Sequence, residues 1–266
     1  MNDLLDAVLA RTPGFYAWLA GRRRRPNLEK IVFLSLVRPG DVVVDAGANT
    51  GYYTLLFSRL AGARGKVHAF EPVPPTFALL TACVAKGRGT GNVVLNSSAL
   101  AERGGQVSLF VPGPDLGQAS LACHTAGSWQ GAGEVTGHSS VAVTLDDYAA
   151  RLTALDFLKC DVEGAELPAL RGGKAALRRF SPLLAIEVCP DWTAAFSYRP
   201  EDVVRFLASL GYDKFLLVAE TLRPLLDPER ELAALHGSAN LLCAVSARHG
   251  HRLARLRPWL PERHGD

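Results

Sequence analysis

Two hydrophobic patterns divide the chain. Through residues 1–37, apolar side chains recur every three or four positions, which predicts an N-terminal helical arm. After residue 40, short apolar runs predict strands at residues 42–44, 66–70, 92–95, 141–144, 157–160, 183–188, 214–218 and 240–245. Helical spacing between these runs predicts helices at residues 52–60, 77–86, 145–152, 166–179 and 201–210. This alternation is typical of an α/β protein with a doubly wound, mostly parallel sheet and helices on both faces.

Residues 112–140 interrupt the alternation. They are rich in Gly, Ser and Pro, and they follow residues 106–111, whose pattern predicts an added hairpin strand. A long irregular segment inside a compact domain is either a functional lid or disordered. We therefore divide the chain into the helical arm at residues 1–37, a main domain at residues 38–247 with an insertion at about residues 112–140, and a basic tail at residues 248–266.

Composition narrows the class of protein. With 266 residues, 48% of them hydrophobic and 21% charged, the chain can bury the core of one α/β domain. A net charge of +3 is too small to indicate a nucleic-acid-binding protein. The five cysteines are dispersed without a C-x-x-C pair, which favours reduced thiols and a cytoplasmic location. The sequence shows neither an apolar run of membrane-spanning length nor a signal peptide, so neither a membrane span nor secretion is expected.

Carboxylates stand at the ends of four predicted strands. They are Asp45, Glu71, the pair Asp161 and Glu163, and Glu187. In an open α/β sheet, ligands bind beyond the carboxyl ends of the strands, where the strand order reverses. Because a buried carboxylate without a partner is costly, a set of carboxylates on one rim indicates a binding site.

The loop after the first strand distinguishes two classes of cofactor. A dinucleotide fingerprint has the form G-x-G-x-x-G, in which the second glycine lets the pyrophosphate approach the backbone. Here the loop reads G-x-N-x-G from Gly47 through Asn49 to Gly51, which disfavours a pyrophosphate. S-adenosylmethionine has a ribose without phosphates, and its carboxylate can meet loop N–H groups. Glu71 is placed to hold that ribose, a feature that nicotinamide-dependent enzymes share.

Sequence blocks along the chain resemble the FkbM-type family of S-adenosylmethionine-dependent methyltransferases. They run from about residue 41 to residue 245 and read VVVDAGANTGYYT, FEPVPPTF, NSSALAERGGQVSLF, VTLDDYA, DFLKCDVEGAEL, LRGG, LLAIEV and NLLCAV. Two positions depart from the family's pattern, because Cys160 replaces an expected isoleucine and Cys189 a frequent histidine. The resemblance implies a class I methyltransferase fold, which is Rossmann-like with an antiparallel last strand. It also implies methyl transfer to a hydroxyl of a sugar, polyketide or other natural product.

The resemblance also implies which residues bind S-adenosylmethionine. The glycine loop would line the methionine part, the FEP motif would hold the ribose, and the end of the third strand would border the adenine. The cofactor-binding residues implied in this way are Asp45, Gly47, Ala48, Asn49, Gly51, Glu71, Pro72, Ser98, Ala99 and Asp161.

A base is expected on the acceptor side, because a neutral alcohol must lose its proton as it attacks a methyl group. Glu163 is the first candidate for this base or for positioning the acceptor, with Asp161 addressing the cofactor. Glu187, at the end of the neighbouring strand, is the second candidate. Oxygen ligands of this kind also suit a divalent cation, but the sequence has no D-x-D cluster, so we predict no metal site.

The insertion supplies the predicted substrate contacts. His124 and His138 are alternative bases, and we assign His138 to substrate binding. Ser120 lies in a GQASL element that resembles one near the acceptor in the family, which implies a second substrate contact. Trp129 either stacks on a planar acceptor or sugar ring, or packs beneath the lid.

Two other functions stay open at the level of sequence. One is a nicotinamide-dependent oxidoreductase built on the same sheet. The other is a non-catalytic cofactor-binding partner in a biosynthetic assembly, docked on an acidic carrier through the arginine run at residues 22–25, although such a short run is more often a solvated turn. We expect the acceptor to be a small molecule or glycan and not nucleic acid, since the arginine run lacks interleaved aromatic residues. Assembly into a homo-oligomer is left open.

Overall fold

The computed structural model describes residues 27–113, 118–124, 129 and 134–261. Most of the predicted helical arm, including the arginine run at residues 22–25, lies outside the described residues. Parts of the insertion and residues 262–266 of the predicted tail lie outside them as well.

Strands and helices alternate through the described chain. The strands are β1 (Val42–Ala46), β2 (Lys66–Phe70), β3 (Val93–Asn96), β4 (Ala99–Leu100), β5 (Gly105–Pro112), β6 (Val135–Val143), β7 (Phe157–Cys160), β8 (Leu183–Val188), β9 (Lys214–Val218), β10 (Leu222–Pro224) and β11 (Ala239–Ala244). The α-helices are α1 (Leu28–Leu36), α2 (Tyr52–Ala61), α3 (Pro74–Lys86), α4 (Leu145–Ala149), α5 (Glu166–Arg171), α6 (Lys174–Phe180), α7 (Pro190–Thr193), α8 (Pro200–Ala208), α9 (Pro228–Ala233) and α10 (Ser246–Leu253).

Eight of the described strands form the central sheet, in the order β10-β9-β11-β8-β7-β1-β2-β3. β1 pairs in parallel with β2 and β7, and the pairs β2–β3 and β7–β8 are parallel as well. β11 is antiparallel to both β8 and β9, which confirms the prediction of a mostly parallel sheet with an antiparallel last strand. β10 adds a short antiparallel edge that we did not predict. The strand order reverses between β1 and β7, so the loops after these two strands flank one crevice.

Helices cover both faces of this sheet. The four residues of β7 are all buried, because a central parallel strand is covered on both sides. On one face, Phe33 of α1 packs edge-on against Phe57 and Phe157, at ring-centroid distances of 5.0 and 5.7 Å. The side chain of Asn27 caps α1 by accepting a hydrogen bond from the backbone N–H of Lys30 at 2.8 Å. The helix before β1 is therefore part of the core.

Part of the predicted insertion is a strand. The whole of β5 pairs antiparallel with β6, from Gly105 opposite Ala142 to Pro112 opposite Val135, and β4 pairs with the other edge of β6. Residues 135–140, which we expected to be irregular, belong to this three-stranded sheet. Their small and polar side chains give no apolar alternation, so the strand depends on backbone pairing with β5.

The helix predicted at residues 166–179 is two helices, α5 and α6, separated by Gly172 and Gly173. A Cβ atom on Gly172 would lie 2.1 Å from the carbonyl oxygen of Ala101, and one on Gly173 would lie 2.7 Å from Leu145 Cδ2. The break therefore lets the chain pass close to β4 and α4.

Residues 246–261 of the chain pack against the start of the domain. Arg252 donates to both carboxylate oxygens of Asp41, at 2.7 and 2.8 Å, and to the carbonyl oxygen of Leu36 at 3.3 Å. His249 is buried, and burial lowers its pKa to about 4. None of the described helices is long and apolar enough to cross a membrane.

Candidate active site

The loop after β1 turns sharply at one side of the crevice. Gly47, Asn49 and Gly51 all have positive φ, at 75°, 48° and 94°. The N–H groups of Gly47 and Ala48 donate to the carbonyl oxygen of Phe70, at 3.1 and 2.9 Å, and the N–H of Gly51 donates to Ala48 at 2.9 Å. These three N–H groups thus donate hydrogen bonds to carbonyl oxygens of the protein itself. We had expected loop N–H groups to meet the cofactor's carboxylate.

Glu71 ties the end of β2 to this loop. One carboxylate oxygen accepts the N–H of Asn49 at 2.9 Å, and the other accepts the N–H of Val73 at 2.9 Å. Burial raises the pKa of Glu71 to about 7, against these two hydrogen bonds that favour the carboxylate. Glu71 lines the crevice together with Asn49, so it can meet a hydroxyl-bearing ligand while it holds the loop in place.

A buried lysine, which we did not predict as a site residue, connects the carboxyl ends of β1 and β7. The ammonium of Lys159 lies 2.8 Å from Asp161 Oδ2 and 3.9 Å from Asp45 Oδ1, and its side chain is only 3% exposed. Burial opposes its charge, but Asp161 and Asp45 outweigh burial and raise the pKa of Lys159. A lone lysine within the apolar strand at residues 157–160 was the signal for it in the sequence.

The same lysine sets the ionisation of Asp161. Although burial favours the neutral acid, Lys159 holds the pKa of Asp161 below its ordinary value, so this side chain is a carboxylate. Asp45 is fully buried, and burial raises its pKa against the opposing effects of Lys159 and of the hydroxyl of Thr54, which donates to it at 2.6 Å. Asp161 lines the crevice, whereas Asp45 supports the lysine from behind.

The turn after β7 presents Glu163 to the crevice. Glu163 has a φ of +56°, and the adjacent Gly164 has a φ of +96°. A Cβ atom on Gly164 would lie 2.8 Å from the carbonyl oxygen of Trp192. Glu166, which is buried, accepts the N–H groups of Val162 and Gly164 at 3.0 and 3.1 Å, and it fixes the turn from the α5 side. Sequence reasoning did not assign a role to Glu166.

Three carboxyl groups converge at the ends of β7 and β8. Single oxygens of Asp161, Glu163 and Glu187 all lie within 4.8 Å of one another. Burial, followed by the charges of Asp161 and Glu163, raises the pKa of Glu187 to about 10. Glu187 therefore holds a proton at neutral pH, and its Oε1 accepts a hydrogen bond from Ser238 at 2.9 Å. A protonated carboxyl is a hydrogen-bond donor and not a base, which favours Glu163 over Glu187 as the base, and a catalytic role of Glu187 stays a prediction.

The Glu187→Gln variant is expected to melt at a higher temperature than the wild type at pH 8.5, and at a similar temperature at pH 5. The folded wild type keeps the Glu187 proton up to a pKa of about 10, whereas the unfolded chain releases it near 4.5, so this contribution to stability is lost as pH rises. Glutamine keeps the shape and the hydrogen-bond donor at every pH. Differential scanning calorimetry, with the exposed Glu220→Gln as control, tests this. An equal effect at both pH values would contradict it.

The insertion closes one side of the crevice. Ala119 and Leu121 of the insertion line it, together with Leu109 of β5 and with Ser98 and Ala99, which we predicted to border the adenine. The remaining described lining residues are Gly47, Ala48, Asn49, Thr50, Tyr52, Tyr53, Phe70, Glu71, Pro72, Leu100, Lys159, Asp161, Val162 and Glu163. Most predicted cofactor residues are thus brought together, around a cavity of about 220 Å³.

The predicted substrate contacts lie elsewhere. Ser120 is buried, and its hydroxyl donates to the carbonyl oxygen of Glu163, so the structure uses it to hold the turn and does not present it to an acceptor. His138 lies on β6 opposite Leu109, outside the described lining of the crevice. Trp129 is buried and packs edge-on against His124 at 4.9 Å, which corresponds to the packing alternative.

Sequence comparisons match most of the described domain to a known family. Residues 45–214 match the sequence model of the Methyltransferase FkbM domain. The chain is 50% identical over 52 residues to the 31-O-demethyl-FK506 methyltransferase FkbM of Streptomyces tacrolimicus, and the match spans 20% of this chain and only 20% of that relative.

Two solved structures show limited similarity. Methyltransferase FkbM from Methylobacillus flagellatus KT has a TM-score of 0.48 at 16% identity, over 89% of this chain and 60% of that chain. An rRNA methylase from Streptococcus thermophilus has a TM-score of 0.46 at 13% identity, over 84% of this chain and 98% of that chain.

The strand order and the crevice at its reversal point correspond to a class I methyltransferase fold, the fold of the S-adenosylmethionine-dependent enzymes to which the matched domain belongs. Because the matched domain covers more than half of its length, the chain belongs to the FkbM methyltransferase family. The residues present fit the donor. Phe70, Leu100 and Leu109 offer an apolar wall suited to a purine, and the carboxylates of Glu71 and Asp161 suit a ribose and positive charge.

Proposed function

We propose that this protein transfers a methyl group from S-adenosylmethionine to a hydroxyl oxygen of a small natural product or sugar. The main support is the position of Glu163. Its carboxylate lines the cofactor crevice, and one of its oxygens lies within 4.8 Å of an oxygen of Asp161. We propose the cytoplasm as its compartment, since all five cysteines are unpaired.

Each residue of the turn has a distinct proposed role. S-adenosylmethionine supplies the methyl group, and its sulfur keeps the bonding electron pair as the new oxygen–carbon bond forms. A carboxylate oxygen of Glu163 accepts the proton that the acceptor hydroxyl loses. Asp161, kept ionised by Lys159, supplies negative charge beside the positive donor. Glu187 keeps its proton and donates a hydrogen bond to Asp161.

We retain as cofactor-binding the predicted residues that line the crevice, whereas Asp45 and Gly51 lie outside that lining and would act only through the shape of the loop and through Lys159. His138 is retained as a substrate contact only for an acceptor large enough to reach β6 beyond the crevice. Ser120 leaves the substrate-binding set, because its hydroxyl is engaged with Glu163.

Charge in the crevice favours an uncharged acceptor. Among the described residues that line it, Lys159 is the only cation, and this ammonium is paired with Asp161. Carboxylates at Glu163 and Asp161 repel phosphate groups at short range. This supports a hydroxylated small molecule or glycan over an RNA acceptor, for which binding would rely on basic side chains.

A panel of acceptors tests the function directly. The full-length protein with S-adenosylmethionine is incubated with hydroxylated macrolides, simple glycosides, a sugar phosphate and a short RNA, and products are identified by mass spectrometry. We expect a methyl ether on an uncharged acceptor. Methylation of the RNA or of a carbon or nitrogen atom instead would overturn the proposal.

Glu163→Gln is expected to lower kcat by a factor of about 100 to 10,000, because an amide cannot accept the proton. Binding of S-adenosylhomocysteine, measured by calorimetry, should change less than about threefold, since the side chain keeps its size. Glu220→Gln is the control, because it makes the same change at an exposed site. Normal turnover by Glu163→Gln would show that another group is the base.

A further inference from the structure

The backbone carbonyl of Glu163 accepts two hydrogen bonds from the insertion. Ser120 Oγ donates at 2.6 Å, and His124 Nε2 lies at 3.0 Å. Because a carbonyl oxygen can only accept, Nε2 must carry the ring proton of His124. Both side chains are almost fully buried, with exposed fractions of 1% and 5%. Two protein donors therefore meet one acceptor where water competes little.

The residue that accepts these two hydrogen bonds, Glu163, has an unusual backbone conformation. Its φ of +56° lies in the left-handed region, which is unfavourable for a residue with a long side chain. Such a conformation persists only where the surroundings enforce it, and it is common at active sites. On one side, Glu166 binds the N–H groups of Val162 and Gly164; on the other, Ser120 and His124 bind the carbonyl between them. Side chains thus fix two peptide groups of the turn, the one between Asp161 and Val162 and the one between Glu163 and Gly164, whose N–H and carbonyl are both bound.

His124 is itself rigidly placed. Its ring contacts Trp129 edge-on at 4.9 Å and lies 6.2 Å from the rings of both Trp192 and Phe196. The same Trp192 lies against Gly164 through its backbone carbonyl. Aromatic packing therefore sets the position of the donor Nε2 relative to the turn.

We propose that Ser120 and His124 are positioning residues, whose two hydrogen bonds to the Glu163 carbonyl hold Glu163 left-handed and keep its carboxylate in the crevice. The proposal rests on the proposed role of Glu163 as the base. It assigns a function to the insertion beyond covering the crevice, because residues 118–124 complete the geometry of a turn that follows β7.

Crystal structures with S-adenosylhomocysteine test the geometry without any acceptor. In the wild type, both donors are expected on the Glu163 carbonyl, with a positive φ at Glu163. In the double variant Ser120→Ala/His124→Phe, which keeps an aromatic ring beside Trp129, we expect Glu163 to leave the left-handed region or its carboxylate to shift by about 1 Å or more. An unchanged Glu163 in that variant would overturn the proposal. If the double variant does not fold, the two single variants are compared in the same way.

Kinetics with the acceptor found in the panel give a second readout. The double variant is expected to lose about 100-fold in kcat while the affinity for S-adenosylhomocysteine stays within about threefold. His124→Gln, whose amide N–H can reach the same carbonyl, should recover part of the loss that His124→Phe causes. Ser209→Ala is the matched control, because it removes a hydroxyl that donates to the carbonyl of Phe206, also at 2.6 Å, on an exposed helix end.

The outcomes separate this proposal from the proposed function. If Glu163→Gln is inactive but the double variant has wild-type kcat, Glu163 is the base and the positioning role is refuted. If Glu163→Gln turns over normally, the assignment of the base fails, and the crystal structures alone decide whether Ser120 and His124 hold the turn. A lower melting temperature with unchanged kcat, and the same drop in melting temperature for His124→Gln as for His124→Phe, would show a purely structural role.

Discussion

Gly47→Ala is expected to destabilise the protein by at least about 3 kcal/mol and to abolish binding of S-adenosylmethionine. A Cβ atom at this position would lie 1.7 Å from the carbonyl oxygen of Asp161, and the φ of Gly47 is +75°. The clash is with backbone, so no side-chain rotation relieves it. It would separate the loop after β1 from the turn after β7. Urea denaturation and calorimetry with S-adenosylhomocysteine measure the two effects.

Gly40→Ala is the matched control for this prediction. Gly40 also has a positive φ, of +93°, but a Cβ atom there would have no heavy atom within 4 Å. We expect this control to lose only about 1 kcal/mol, from the left-handed backbone alone, and to bind the cofactor normally. Equal losses in both variants would mean that the contact between the two loops is not what makes Gly47 necessary.

Lys159→Met is expected to cost about 3–5 kcal/mol at pH 8, because it leaves the fully buried Asp45 and the partly exposed Asp161 without their cation. Methionine fills a similar volume, so the loss measures charge and not packing. Asp45 and Asp161 lie 3.9 and 2.8 Å from the lysine nitrogen, and Asp45 is completely buried. Chemical denaturation of both proteins across pH gives the difference.

The stability difference between Lys159→Met and the wild type is expected to depend on pH. In the wild type, Lys159 lowers the folded pKa of Asp161, so that contribution to stability is present at neutral pH and lost as pH falls through the lowered pKa. Without Lys159, burial raises the folded pKa of Asp45 further, so the variant loses stability as pH rises. The deficit should therefore be smallest near pH 4. Lys66→Met, at an exposed site on β2, should show neither the loss nor its pH dependence.

Strand prediction succeeded best in the centre of the sheet. Residues 157–160 and 183–188 were predicted with the bounds observed for β7 and β8. Both strands are covered by helices on both faces, so each is an apolar run broken by a single charged residue, Lys159 in β7 and Glu187 in β8. β2 and β9 were also predicted with their observed bounds.

Prediction failed where pairing or close approach decides the backbone. β6 has few apolar side chains, and its strand geometry comes from backbone hydrogen bonds to β5. The helix break at Gly172 and Gly173 depends on the position of residues 101 and 145, which are distant in sequence. The hydrophobic pattern of a short stretch of sequence contains no information on residues that approach it only in the folded chain.

The sequence by itself determined the fold class, the family and the donor, because these depend on local runs and on motifs such as GANTG and FEP that are read residue by residue. It also placed Asp161, Glu163 and Glu187 at adjoining strand ends. Only the tertiary structure decided how Asp161 and Glu187 differ, since Lys159 lowers the pKa of Asp161 while burial raises that of Glu187. The tertiary structure also assigned Ser120 and His124 to the Glu163 carbonyl. Hydrogen bonds and charge pairs act over a few ångströms, so partners separated by about forty residues are settled only when the chain is folded.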